Sequence, residues 1–245
     1  MADADPVDLV FGGLDKLAPG SDEATRRALD ALPPADLRTV VDAGCGTGRH
    51  TLVLAKELGV PVHALDTHGP FLDRLRERAE AEGLGDLVRP RALDIADLAD
   101  AFEDVDVVWS EGAAYTVGVP RALEAWRPAL ADGGFVVFTE LTWLTDAPPE
   151  PARAFFAAAY PDMRTVAENR AVAEAAGYDV LGDFALPREA WTDGYYDVLS
   201  PRVAALADHP DAAVRDLAAG VAEEVRVFDA SGGSYGYVFY LLQKA

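Results

Sequence analysis

Residues 40 to 48, Val40-Val41-Asp42-Ala43-Gly44-Cys45-Gly46-Thr47-Gly48, run a short apolar segment straight into three glycines at alternate positions. A strand that ends in such a turn leaves no Cβ between its main chain and an incoming ligand, and it tolerates positive φ where other residues strain. Arg49 to Leu58 continues as a helix, with Gly59 as its C′ stop. Further strands are expected outward from this unit at Thr39 to Asp42 (the run itself), Val62 to Asp66, Val88 to Asp94, Val105 to Ser110 and Phe135 to Glu140, with helices such as Pro70 to Ala81 between them. Strand and helix alternation of this kind implies a mostly parallel sheet with helices on both faces. Asp132-Gly133-Gly134 is a turn signal before the fifth strand. Tyr178 to Leu186 and Tyr235 to Leu242 supply a closing antiparallel pair.

The glycine spacing chooses between nucleotide ligands. A dinucleotide fingerprint needs G-x-G-x-x-G, and counting from Gly44 and Gly46 its third glycine falls on Arg49. Asp42, just before the turn, repels a pyrophosphate but attracts an ammonium, directly or through water. A nicotinamide dehydrogenase is therefore a poor reading. Asp66, with Thr67 beside it, ends the second strand at the crevice where open parallel sheets bind ligands, and its carboxylate suits ribose hydroxyls. It also serves as an ordinary helix cap, and the two roles coexist.

On Asp42 to Gly48 the chain resembles the class I S-adenosylmethionine-dependent methyltransferases, whose first motif is an acid followed by G-x-G-x-G after a strand. The resemblance implies a Rossmann-like fold: a seven-stranded, mostly parallel sheet with an antiparallel final strand, helices on both faces, and extra N-terminal and lid helices. It implies S-adenosylmethionine as cofactor and S-adenosylhomocysteine as product. It also implies that Asp94 bonds the adenine amino group, that Ile95 packs on the ring, and that Glu111 and Gly112 stand beside the transferable methyl. Ser110-Glu111-Gly112-Ala113-Ala114-Tyr115, Thr139-Glu140-Leu141-Thr142-Trp143, Leu186-Pro187 with Trp191-Thr192-Asp193, and Tyr235-Gly236-Tyr237-Val238-Phe239-Tyr240 look like a bacterial small-molecule methyltransferase subgroup, many of whose members have no assigned substrate.

Length fits one domain spanning residues 1 to 245, with N-terminal cap helices in 1–38, a cofactor-binding core in 39–140, and substrate-side insertions in 141–175 and 187–230. The Pro19-Gly20-Ser21 turn, with Ser21 as N-cap, is placed to fold over the cofactor, so Gly20 and Ser21 join Asp42, Gly44, Cys45, Gly46, Gly48, Asp66, Thr67, Asp94, Ile95 and Glu111 as cofactor-side candidates. Leu141 to Arg164, which carries Trp143, Phe155, Phe156 and Tyr160, reads as an aromatic lid, and Ser200 to Glu224 as one alanine-rich helical insert. Phe155, Phe156 and Tyr178 are expected in the core. Tyr115, Glu140, Trp143 and Tyr195 are the acceptor-side candidates, because aromatic faces with nearby acids hold cationic amines. Glu111 and Tyr115 are the catalytic candidates, with Glu140 and His68 as further groups able to take a proton.

The net charge of −21, from 42 acids and 21 bases, repels phosphate backbones and argues against nucleic-acid partners. Asp73 to Arg78 reads as a solvated helix face. Cys45 is the single cysteine and reads as a small buried side chain; the four histidines lack ligand spacing, so no metal is expected. The acidic N-terminus shows no export signal and no apolar run reaches membrane-spanning length, which makes the cytoplasm the expected location and a membrane partner unexpected. The expected state is a monomer or homodimer. The expected activity is methyl transfer to a small molecule bearing an amine or a hydroxyl. The alternatives are other chemistry on the same cofactor, such as its intramolecular cyclisation, and a non-catalytic cofactor-binding protein.

Overall fold

The computed structural model describes residues 5–245; the first four residues of the acidic N-terminal stretch, which bear on the export-signal expectation, lie outside it. The elements are α1 (Pro6–Phe11), α2 (Asp22–Asp30), β1 (Val40–Ala43), α3 (Arg49–Leu58), β2 (Val62–Asp66), α4 (Gly69–Ala81), β3 (Val88–Ala92), β4 (Val105–Glu111), α5 (Val119–Trp126), β5 (Leu130–Trp143), α6 (Glu150–Ala159), β6 (Arg164–Thr165), α7 (Val166–Ala175), β7 (Tyr178–Ala185), α8 (Glu189–Trp191), α9 (Asp197–Ala205), α10 (Ala212–Ala230) and β8 (Tyr235–Lys244).

The sheet runs β3-β2-β1-β4-β5-β8-β7, with the two-residue β6 added beside β5. β1 lies between β2 and β4 in parallel register, with Asp42 opposite both Ala64 and Trp109. β8 is antiparallel to both β5 and β7. The expected mostly parallel sheet with an antiparallel last strand is thus the observed one, enlarged by β6. Because β1, β2, β4 and β5 are mutually parallel, Ala43, Asp66, Glu111 and Trp143 all end at one sheet edge, and loops leaving that edge converge.

Strand alternation divides the core. Val40, Val62, Val107 and Phe135 pack under α2, α3 and α4, whereas Val41, Leu65, Val108, Val136 and Phe138 pack under α5 and α7. A third cluster holds the sequence outside the minimal sheet: Val10 of α1, Phe156 of α6, Trp191 of α8, Leu199 of α9 and Phe228 of α10 surround Tyr235. Trp191 stacks on Phe228 with ring centroids 4.7 Å apart. These insertions therefore share one core and form a roof over the convergent edge.

Three boundaries differ from the sequence expectation. The third strand stops at Ala92, and Asp94 caps a 3-10 turn at Ile95–Asp100 by accepting from the Ala96 amide at 2.8 Å. A short acidic side chain that satisfies a local amide competes with continued pairing. β5 begins at Leu130 rather than Phe135, because Gly133 adopts φ 73° and lets the strand bulge through the expected turn. The helical insert expected over 200–224 extends beyond both bounds, as α9 (Asp197–Ala205) and α10 (Ala212–Ala230); Asp211 caps α10 through the Ala213 amide.

Candidate functional site

A cavity of about 540 Å³ opens where the parallel strands end. At one end it is walled by Gly44 to Arg49 and Asp66, and at the other by rings from α6, α8 and β8. Gly44, Gly46 and Gly48 take φ of 84°, 54° and 84°, so the turn needs glycine at each alternate position. A Cβ on Gly44 would stand 2.2 Å from the Ala113 Cβ, and one on Gly46 2.8 Å from Leu17. The glycines thus bring the β4 loop and the N-terminal segment against the turn as well as leaving room for a ligand.

Asp66 lies at the open end of β2. Its Oδ2 accepts from the Gly46 amide at 2.9 Å and its Oδ1 from the His68 amide at 2.8 Å. Each oxygen keeps acceptor capacity for a ligand hydroxyl. Asp42, by contrast, is fully buried and does not line the cavity: its Oδ1 meets His50 Nε2 at 2.9 Å and its Oδ2 accepts from Thr51 Oγ1. The acid expected to attract a ligand ammonium instead fixes the first turn of α3. Burial lowers the His50 pKa, but Asp42 and Glu111 outweigh it and hold the ring above its ordinary value.

Glu111 lines the cavity with its carboxylate already engaged. Oε1 accepts from Thr25 Oγ1 at 2.7 Å and Trp109 Nε1 at 2.9 Å, and Oε2 pairs with Arg49. Burial raises its pKa, yet Arg49, His50 and the two donors leave it below the ordinary carboxylate value. A carboxylate so held is a weak proton acceptor, which counts against the expected catalytic role for Glu111. It is better placed to position Arg49, whose guanidinium lines the cavity.

The other candidates divide. Cys45 is buried in the wall, and burial pushes its thiol well above the ordinary value, so it is not a nucleophile there. Gly20 is buried against Arg49 without lining the cavity, and Ser21 caps α2 through the Ala24 amide at 3.1 Å. Thr67 and Asp94 are exposed, and Ile95 packs in the core under α5; none of the three lines the cavity. Tyr115 is at the rim, 46% exposed, with its ring edge 6.1 Å from Tyr160. Tyr195 lines the wall, whereas Trp143 lies behind it, edge-on to Phe156 at 5.7 Å. Phe155 and Phe156, expected in the core, reach the cavity; Tyr178 is buried away from it, its hydroxyl donating to the Leu123 carbonyl at 2.8 Å.

Glu140 does not line the cavity: it is 2% exposed, shares the Phe138 face of β5, and neither of its carboxylate oxygens has a hydrogen-bond partner among the described residues. Burial pushes its pKa up to about 7, which the nearby Tyr160 hydroxyl and Arg164 offset only in part. His68 stands at the N-cap position of α4 without a side-chain capping bond, and its Nε2 meets Asp8 at 2.8 Å, outside the cavity wall.

Sequence reasoning missed several wall residues. Arg49 follows the last glycine of the turn, where the sequence shows only a missing dinucleotide glycine and the start of a helix. Glu224 gives no local signal inside an alanine-rich helix. Trp191 and Tyr237 enter the site through insertions whose path the sequence does not show. The N-terminal strap was visible only as a turn: Lys16 Nζ donates to the Ala190 and Asp193 carbonyls at 2.7 and 2.8 Å, and Arg202 donates to the Val10 and Gly12 carbonyls. Residues 7–19 are thereby tied across the cavity to the α8–α9 segment. Burial and the nearby Arg49 lower the Lys16 pKa to about 8.

Residues 40–134 match the family model described as a methyltransferase domain. The methyltransferase GfsG of Streptomyces halstedii is 29% identical over 97 residues, a stretch that is 40% of this chain and only 35% of that relative. Among solved structures, a SAM-dependent methyltransferase of Thiobacillus denitrificans in complex with S-adenosyl-L-homocysteine superposes with TM-score 0.80 at 21% identity, covering 97% of each chain. The [4+2]-cyclase SpnF superposes with TM-score 0.73 at 18% identity, covering 94% of this chain and 85% of that one. The glycine turn, the sheet order and the matched segment agree: the chain shares the fold of these structures, and its residues 40–134 match a methyltransferase domain.

Proposed function

We propose that the protein is an S-adenosylmethionine-dependent methyltransferase acting on a small molecule through an amine or hydroxyl acceptor. The observation that carries this reading is the shape of one cavity with two unlike ends: a glycine turn with Asp66 at one, and an aromatic chamber at the other. The donor set at the first end fits the cofactor: the Asp66 carboxylate for ribose hydroxyls, and the Arg49 guanidinium beside Glu111 for the amino-acid portion. When bound there, the cofactor supplies a methyl group already activated on a sulfonium. The chain's own task is then alignment and exclusion of water. The strap residues and α6 provide the exclusion, and the rings at the far end hold the acceptor. The net charge of −21 supports a small-molecule partner over a nucleic acid.

Calorimetric titration with S-adenosylmethionine, S-adenosylhomocysteine and NAD, alongside Asp66→Ala, tests the reading. Binding of both adenosyl ligands, weakened at least tenfold in the variant and absent for NAD, is expected. A folded protein that ignores both adenosyl ligands would sink it. Product analysis is the second arm: S-adenosylhomocysteine release marks methyl transfer, methylthioadenosine marks attack on the cofactor's own side chain, and, since the same fold carries the [4+2]-cyclase SpnF, substrate conversion with neither product marks chemistry that leaves the cofactor intact.

A further inference from the structure

The acceptor end of the cavity has a chemistry that narrows its ligand. Glu224, on α10, lines this end, and its Oε1 accepts from Tyr196 OH at 2.6 Å. Among the described residues its Oε2 takes no hydrogen bond from the protein. Tyr115, Tyr195, Trp191 and Tyr237 line the same chamber, so a carboxylate oxygen faces a cavity otherwise built of ring surface. Among the described lining residues the cationic side chains are Arg49 and His50, at the glycine end, each paired with a carboxylate. No unpaired cation is thus offered to a phosphate or carboxylate on the acceptor, whereas a cation finds both a carboxylate and aromatic faces.

We propose that Glu224 and the rings around it form a subsite for an amine carried on an uncharged, apolar body. This rests on the methyltransferase reading for its place in catalysis, but not for the binding itself. The amine nitrogen donates to Glu224 Oε2, the apolar body lies against Trp191 and Tyr237, and Tyr115 closes the rim. Tyr196 fixes the carboxylate from behind and so acts as a positioning residue. Burial raises the pKa of Glu224, with Tyr196 opposing it in part, and a bound ammonium would reverse that shift.

The test is calorimetry with 2-phenylethylamine, its N-methyl derivative and cyclohexylmethylamine, each compared with its alcohol (2-phenylethanol, cyclohexylmethanol), with and without saturating S-adenosylhomocysteine. At least one amine is expected to bind at millimolar concentration or better, ten times or more tighter than its alcohol, and to lose that preference in Glu224→Gln. Unchanged S-adenosylhomocysteine affinity in the variant shows that it is folded; should it fail to fold, Tyr115→Leu, at the exposed rim, is expected to weaken the same amine. Amines that bind no better than their alcohols, or equally well to wild type and Glu224→Gln, overturn the proposal. Failure of S-adenosylhomocysteine to bind while amines remain selected would overturn the cofactor reading and leave this subsite standing.

Discussion

The two ends of the cavity treat buried charge in opposite ways. At the glycine end Asp42, Asp66 and Glu111 each have partners on both carboxylate oxygens. At the acceptor end Glu224 is satisfied on one side only, and in the core behind the wall both oxygens of Glu140, the hydroxyl of Tyr235 and Oγ of Ser234 lack partners among the described residues. Paired groups favour one arrangement and exclude alternatives, which suits a ligand that never changes. A carboxylate oxygen left open in the wall, as on Glu224, is costly until a ligand supplies the missing bond, which suits a chamber that selects its ligand by hydrogen-bonding chemistry. One end of the site is thus finished by folding, and the other is completed by binding.

Charge removal should therefore have opposite signs at the two ends. Asp42→Ala leaves His50 Nε2 and the Thr51 hydroxyl, both in the first turn of α3, buried without their acceptor, and should destabilise the fold by about 2–5 kcal/mol, at roughly 1–3 kcal/mol for each buried group left unsatisfied. Urea unfolding at neutral pH measures this. A loss below about 1 kcal/mol would mean that the pair is as weak as a surface one and that the contrast between the ends is not real.

Glu140 supplies the opposite case. Its folded pKa of about 7 lies above the ordinary 4.5, so the folded state keeps a proton that the unfolded state has released. Stability from this group is complete below pH 4.5, falls as pH rises from 4.5 to 7, and is flat above 7. The total loss is about 3 kcal/mol from the size of that shift. Glu140→Gln should abolish this slope and be the more stable protein at pH 8 by a comparable amount. Parallel stability–pH curves for variant and wild type would show that the carboxylate is already partnered in solution.

The same contrast explains what was legible in the sequence. The glycine end is local: Asp42 to Leu58 is one strand, turn and helix, with boundaries set by glycines that can be read directly, and α3 lies at Arg49–Leu58 as expected. Asp94 shows the limit of that reading, since an acid after a strand serves a ligand or caps the next turn, and only the path of the chain decides; here it caps. The acceptor end is assembled from residues far apart in sequence. Tyr115, Tyr160, Trp191, Glu224 and Tyr237 meet because α6, α8, α9 and α10 share one core, and no periodicity in the chain announces that meeting. Tyr115 and Tyr195 follow or flank short elements near the sheet edge and so are visible; Glu224, in the second half of the long helix α10, carries no such mark. Arg78 failed in a different way: within the expected solvated face it turns inward and donates to the Asp15 and Thr47 carbonyls at 3.0 and 2.9 Å, joining α4 to the strap and the turn.

The smallest effect separates stability from closure. Asp8 on α1 pairs with His68 at 2.8 Å, and Val7 and Phe11 of the same helix line the cavity beside Asp66. This pair is half-exposed, so Asp8→Ala should change stability by only about 0.2–1 kcal/mol. It also releases the α1 end of the strap from the β2–α4 loop, while Lys16 and Arg202 still hold the strap to the roof. The ligand at the glycine end then loses a wall without losing a bonding partner. Its dissociation should accelerate several-fold with little change in the melting temperature of the free protein, measured by stopped-flow release of S-adenosylhomocysteine. An unchanged release rate would place the gate elsewhere, on α6 at the acceptor end, and would mean that the finished half of the site is permanently covered while the unfinished half admits both ligands.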